Sequence, residues 1–386
     1  MSSNWKRYAI GVMLTCLSLL SASCGSGSGK STPATDTVSG TAVKGPVANA
    51  LVSAYKMDAL GNQGTEILDS TTSAADGSYA LRIPKGTGPI MIVVRGTATS
   101  SYVNEADPTG PRVAFTADET LRAAVIDPAT VRSVPVTPFT EMAVTTLQQY
   151  AAKAAADVAA GTLAQMPSIN TLNTTATNTI ETAVRIMTGA SSFSISDVST
   201  PSSAAALALF AQMLTTQSAG DPAITSTSLA QSFVNAIFSG GNNLTQLNSD
   251  IAAAATVLQN NPAVTTNIPT PTAIPVVAAP DFTDVTPPTV PTNLNRSVSH
   301  NEVILTWTAS TNGVAGYFVS RNGIRIATVT VPGYTDATVA AATTYAYSVE
   351  AFDANGNISA PATLSVTTPA APLPGSLDII VGGQIR

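Results

Sequence analysis

Reactive side chains are scarce in this sequence. It holds one histidine, His300, and two cysteines, Cys16 and Cys24, while charged residues fill 10% and aromatic residues 5% of its 386 positions. An average soluble protein carries roughly 25% charged residues. His300 sits in Ser297-Val298-Ser299-His300-Asn301, which reads as an exposed turn between two strands, so a Ser-His-Asp arrangement has no base in a suitable place. A zinc site needs a set of His and Cys ligands that the chain does not own, and no Cys-x-x-Cys-His run is present to attach a haem. Cys16 lies inside an apolar run and Cys24 at a processing site, which excludes a disulfide framework. The 17 basic and 23 acidic residues are spread without runs and give a net charge of −6, a poor match for nucleic acid. The expectation is a chain with no catalytic residues, no metal site and no cofactor.

What is present begins with an address. Lys6 and Arg7 precede the apolar run Tyr8 to Leu20, too short to span a bilayer comfortably, and residues 1–23 read as an export signal. Ser21-Ala22-Ser23-Cys24-Gly25 resembles the lipobox of bacterial lipoproteins, departing from it in having Ser21 where the family usually has Leu, with Leu20 one place further back. The resemblance implies a lipid on Cys24, a membrane anchor and a place in the cell envelope, at the outer membrane or cell surface. Cleavage after Ser23 without lipidation would make the protein secreted. Residues 24–36, rich in Gly and Ser, read as a tether. Its Gly25 to Ser31 stretch echoes a phosphate loop but lacks the preceding strand and the full spacing.

Residues 37–136 show period-two alternation cut by turn residues: Val38 to Val43, Ala50 to Tyr55, Tyr79 to Ile83 and Ile90 to Val94. This predicts an antiparallel β-sandwich, with the positive φ of Gly77 after Asp76 closing a tight hairpin before Tyr79. Gly40, Gly45-Pro46-Val47, Asp76-Gly77-Ser78-Tyr79, Leu81 and Ile83 together resemble the carboxypeptidase regulatory-like, transthyretin-like domain, and Tyr102 to Arg122 resembles its extended form in bacterial surface proteins. That resemblance implies a stabilising or spacing module, not a peptidase.

From Thr137 to Asn261 the apolar period becomes helical. Thr137 can cap, Pro138 suits a first turn, and Glu141 faces the positive helix end. Five apolar stripes separated by Gly161, Gly189, Gly220 and Gly240-Gly241 predict an all-α bundle. Residues 262–290 carry seven prolines among Thr, Ala and Val. At about 3.1 Å per residue they predict a stalk holding two domains up to about 90 Å apart. Residues 291–369 return to alternation, with Val303, Leu305 and Trp307 on one face, then Tyr317 and Val319, then Tyr345, Tyr347, Val349 and Ala351. With Pro288 and Pro291 before it and Asp353 to Ser359 as a final hairpin, this run resembles a fibronectin type III domain. The resemblance implies Trp307 as core tryptophan and Tyr345 as corner tyrosine, its hydroxyl bonded to nearby backbone. Residues 370–386 form a tail with a strand-like run, Asp378-Ile379-Ile380-Val381, that belongs to no module.

The fold class read from these parts is multidomain: an Ig-like, transthyretin-like sandwich, a helical bundle and a fibronectin type III sandwich. Asp353, Asn355 and Asn357 around Gly356 are spaced like oxygen ligands for calcium but lack a bidentate Glu, so a hairpin turn is the better reading, and Asp281 with Asp284 is a weaker candidate. Arg95-Gly96-Thr97 is not an integrin motif. The expected function is a non-catalytic surface scaffold or adhesion module meeting an unidentified protein or surface polymer. An alternative is carbohydrate binding through exposed plates at Tyr55, Tyr102 and Tyr334, and a third is a hydrolase with two close carboxylates in a bundle cleft.

Overall fold

The computed structural model describes residues 34–372 apart from 132, 191 and 285. The export signal, Cys24, the Lys30-Ser31 pair and the run Asp378 to Val381 lie outside the described residues. The first sandwich opens at β1 (Thr35–Thr41), so Thr35 and Asp36 are strand rather than tether, paired with Pro84 and Ile83. It continues with β2 (Leu51–Met57), β3 (Gln63–Thr72), β4 (Ser78–Pro84), β5 (Ile90–Arg95), the short β6 (Ser101–Tyr102) and β7 (Val113–Ala114), and β8 (Thr120–Val125). One sheet is β1-β4 and the other runs β3-β2-β5-β8, all antiparallel. Between them lie Val38, Val52, Leu81, Ile83, Ile90, Ile92, Val94, Phe115 and Leu121, a dry core from both inner faces.

Asp76 and Gly77 do form a turn, with Gly77 at φ +81° and its N–H donating to Ala74. The turn carries the chain from β3 in one sheet to β4 in the other instead of closing a ladder-paired hairpin. A Cβ on Gly77 would sit 2.5 Å from the Ala42 carbonyl oxygen, so that crossing needs glycine on steric grounds as well as for its φ.

The five helices are α1 (Pro138–Ala159), α2 (Ile169–Thr188), α3 (Pro201–Gly220), α4 (Ser226–Ser239) and α5 (Gly241–Gln259). Thr137 caps α1 through a reciprocal pair with Thr140, while Gly189 and Gly240 end α2 and α4 at φ +63° and +65°. Phe139, Ile180, Val184, Leu209, Phe210, Phe233, Ile237 and Ile251 build the bundle core. A second apolar layer joins bundle and sandwich: Met57, Met91 and Val93 on the outer face of the four-stranded sheet pack with Val144, Leu147, Tyr150 and Ala151 of α1. β5 is therefore buried on both faces, which is why it reads Ile-Met-Ile-Val-Val with no alternation.

The last sandwich consists of β9 (Thr292–Val298), β10 (Val303–Thr308), β11 (Val314–Arg321), β12 (Ile324–Val329), β13 (Gly333–Asp336), β14 (Thr344–Asp353) and β15 (Ala362–Thr367). Its sheets are β13-β10-β9 and β12-β11-β14-β15. The proline-rich segment before it is not an extended stalk. Ile268 and Ile274 are buried in the bundle core and Phe282 in the sandwich–helix layer. The Val277 N–H donates to Ile237 O at 2.8 Å, and the Ile274 N–H to Asn248 Oδ1 at 2.8 Å. Ile268, Ile274 and Phe282 among the prolines give the segment something to bury, and it lies along the helices as a strap.

Candidate functional site

Chemistry in this fold concentrates at the joints between its layers. On β8, Arg122 turns away from the sandwich core toward α1, where its Nε and Nη2 donate to the Glu141 carboxylate at 2.9 and 2.5 Å. Glu141 is fully buried, so its partner is this guanidinium more than the helix dipole read from sequence. A second joint lies where the loop after β1 meets the start of α4. Lys44, 2% exposed, donates from Nζ to Glu119 Oε1 at 2.6 Å, and the same oxygen accepts from Ser226 Oγ at 3.1 Å and from the Ser226 N–H at 3.4 Å. Tyr102 covers Nζ with its ring centroid 4.1 Å away, and Phe115 stands at 5.6 Å. Burial holds the Lys44 ammonium below its usual range, against the pull of Glu119. Beside it, Glu105 accepts from the Gly45 N–H through one oxygen, while its Oε2 is enclosed with no hydrogen-bond partner. Burial pushes the Glu105 carboxyl up to about 7, with hydrogen bonds and Lys44 opposing.

The third joint docks the last sandwich. Phe318 and Phe352 stack at 4.4 Å on the outer side of β11 and β14, and Arg325 lies over Phe318 at 3.6 Å. Thr328, 1% exposed, donates to Glu181 of α2, whose other oxygen accepts from the Ile195 N–H at 3.0 Å, and Arg325 approaches Glu181 at 4.0 Å. At the β14–β15 turn, Asn355 Nδ2 donates to Asp284 at 3.1 Å and Asn357 Nδ2 to the Asp284 carbonyl at 2.9 Å. Gly356 lies so close to α2 that a Cβ there would be 1.9 Å from Thr175 Oγ1. Inside this sandwich Asp336, fully buried, accepts from Arg321 at 2.6 Å and from Tyr347 at 2.7 Å. Burial alone would raise its carboxyl, but hydrogen bonds from Thr338 and Tyr347 and the Arg321 charge outweigh it and hold it low.

The residues singled out from sequence fall as follows. Trp307 is in the last core, edge-on to Tyr317 at 5.2 Å, and its indole N–H is enclosed without a partner. The Tyr345 hydroxyl accepts from the Ala340 N–H at 2.8 Å. Tyr79 reaches from β4 to donate to Val134 O at 2.6 Å. His300 is half-exposed in the β9–β10 turn. Asp353 spends its carboxylate on its own loop, accepting from the Asn355 and Asn357 N–H groups, each at 2.9 Å, and from Asn357 Nδ2 at 2.8 Å. The three tyrosines proposed as sugar plates are not exposed: Tyr102 is under Lys44, while Tyr55 and Tyr334 are half-buried against two different cores. Flanking apolar packing, invisible in a lone strand, draws them in. The joints were missed because a buried ion pair has no sequence signature. One signal was available: Phe318 between Tyr317 and Val319 breaks the alternation of β11 and marks a covered outer face.

Two clefts open on the helices. One of about 290 Å³ is lined by Lys153, Asp157, Leu163, Asp281, Phe282 and Thr283, and one of about 350 Å³ by Gln217, Phe233, Asn243, Gln246 and Asp250 among others. Asp157 is paired with Lys153 at 2.5 Å, and Asp250 accepts from Gln217 and Gln246. Among the described residues no group of three or more His, Cys, Asp or Glu is placed to hold a metal ion, and no helix is long and apolar enough to cross a membrane.

No family model matches the chain. A stretch of 93 residues, 23% of this chain, is 50% identical to exoglucanase B of Cellulomonas fimi, covering 8% of that protein. A stretch of 89 residues, 22% of this chain, is 47% identical to chitinase Chi52 of Paenibacillus xylanexedens, covering 17% of it, and one of 99 residues, 25% of this chain, is 41% identical to an α-amylase of Niallia circulans, covering 8% of it. The chain thus spans less than a fifth of the length of these curated relatives. Among solved structures, FN3tt overlays 22% of this chain and 99% of its own at 19% identity and a TM-score of 0.21. The segment shared with the enzymes is a fibronectin type III-like β-sandwich, and among the described residues the chain combines it with further β-sheets and five helices.

Proposed function

We propose that this chain is a non-catalytic scaffold of the bacterial cell envelope, anchored by lipid on Cys24, that presents its C-terminal sandwich to a protein or surface polymer. The observation that carries this reading is where the buried charge goes. Arg122 with Glu141, Lys44 with Glu119 and Arg325 with Glu181 each tie one structural layer to another, so these three buried pairs are spent on joints. The resemblance of the first sandwich to carboxypeptidase regulatory-like domains fits a spacing role. Since Phe318, Phe352 and Thr328 are covered, the face left for a partner is that of β9, β10 and β13, where Ile304, Thr306, Thr335 and most of β9 are exposed. The test is capture of envelope partners by the purified chain, wild-type against Ile304→Asp. Partners held by the wild type and lost by the variant support the reading. Turnover of a substrate, abolished by replacing one internal residue such as Asp250, overturns it.

A second reading, association with polysaccharide, is favoured by relatives that are named exoglucanase, chitinase and α-amylase. It keeps the same scaffold and changes only the partner. Co-sedimentation with insoluble glucan or chitin, lost in Ile304→Asp, selects it, and capture of proteins without any sedimentation rejects it.

A further inference from the structure

The joint around Lys44 holds more than an ion pair needs. An amine and a carboxyl from positions 75 residues apart are in contact at 2.6 Å, almost closed to water, between the rings of Tyr102 and Phe115. The acceptor oxygen, Glu119 Oε1, also takes both the N–H and the hydroxyl of Ser226 at the first turn of α4, while Oε2 takes the Thr116 N–H at 3.2 Å. A second carboxyl, Glu105, is held by the N–H of the neighbouring Gly45, acts on Lys44 by its charge from beyond ion-pair distance, and has an enclosed oxygen with no hydrogen-bond partner. We propose that Lys44 and Glu119 condense to an intramolecular amide, a covalent staple between the loop after β1 and the loop before β8, with Glu105 relaying the proton.

The chemistry balances without an oxidant, metal or co-reactant. A proton passes from Lys44 to Glu119, leaving a neutral amine against a carboxylic acid. Nζ attacks Cδ of Glu119, an Nζ–Cδ bond forms, and negative charge develops on Oε1 where the two Ser226 donors already point, an arrangement of the oxyanion-hole kind. The proton that Glu119 took from Lys44 and a second one, taken by Glu105 from the attacking nitrogen, both end on Glu119 Oε2, the Cδ–Oε2 bond breaks, and one water leaves. Burial favours each stage. It disfavours the charged amine, holds Glu105 near the midpoint at which a carboxyl both accepts and donates, and excludes the water that would reverse the reaction. An ordinary buried salt bridge accounts for the 2.6 Å contact but leaves the enclosed Glu105 oxygen without a role.

Peptide mapping of the purified full-length chain by mass spectrometry, after incubation at neutral pH, tests this directly. The expected result is a branched peptide joining the Lys44 and Glu119 segments, one water lighter than its two parts, in the wild type. Glu105→Gln, which keeps the volume and the hydrogen bond from Gly45, is expected to give the two linear peptides instead while its far-ultraviolet spectrum remains that of the wild type. Wild-type chain yielding only linear peptides overturns the staple. If Glu105→Gln does not fold, the wild-type map alone decides. A Glu105→Gln chain that is folded and stapled as completely as the wild type overturns the relay assigned to Glu105.

Discussion

β5 and β10 are both six-residue strands in the middle of a sandwich, and they follow opposite rules. β10 alternates strictly, with Val303, Leu305 and Trp307 inside and Ile304, Thr306 and Thr308 outside, because one of its faces meets water. In β5, Ile90, Ile92 and Val94 face the sandwich core while Met91 and Val93 face α1, so both faces are apolar. The contrast teaches that alternation reports what lies beyond the sheet as much as the sheet itself. The first sandwich shares its outer face with the bundle, and the last one buries the face of β11 and β14 against α2 while leaving the face of β10 free.

The largest effect that would break this comparison is expected at the sandwich–helix joint. Arg122→Ala leaves the Glu141 carboxylate buried without its partner and should lower the unfolding free energy by about 3–5 kcal/mol in a urea titration. Met91→Ala, on the helix-facing side of β5, should cost about 2–5 kcal/mol, as for any large-to-small change in a closed core. At the joint of the last sandwich, Glu181→Gln should cost about 1–3 kcal/mol and separate one calorimetric transition into two, since the amide leaves one acceptor oxygen for the Thr328 hydroxyl and the Ile195 N–H together and removes the charge facing Arg325. A single unchanged transition would show that the docking face contributes little.

Titration sharpens the same contrast, because the two sandwiches should respond to pH in opposite directions. Glu105 in the folded chain holds its proton up to about 7, above its ordinary 4.5, so between these values the folded state binds more protons than the unfolded one. Stability contributed there is full in acid and is lost as the pH rises toward 7, and Glu105→Gln should flatten that slope. Asp336 is held low, so its contribution is present above the ordinary carboxylate range and is lost as the pH falls through its folded value. The smallest expected effect is at Ile304, where a change to Ala on the free face should stay within about 0.5 kcal/mol.

Local patterns were legible and joints were not. The five apolar stripes correspond to five helices, and Trp307 and the tyrosines of β14 mark the last core because a strand's own alternation points them inward. β3, Gln-Gly-Thr-Glu-Ile-Leu-Asp-Ser-Thr-Thr, went unread because an edge strand with a mostly exposed surface needs no apolar face. The proline-rich segment predicts a stalk from sequence because polyproline geometry is local, whereas Ile268, Ile274 and Phe282 reveal their purpose only beside the surfaces they cover. The same holds for Arg122, Lys44 and Glu181, whose partners lie far along the chain.

The claim on which the rest depends is that sandwich, bundle, strap and last sandwich pack together as one body. Hydrogen exchange of the Ile274 and Val277 amides in the purified chain tests it most directly. The account predicts slow exchange at both, since their N–H groups are held by Asn248 and Ile237. Exchange at the rate of an unstructured peptide at these two positions, with both sandwiches folded, would contradict it and restore the extended stalk.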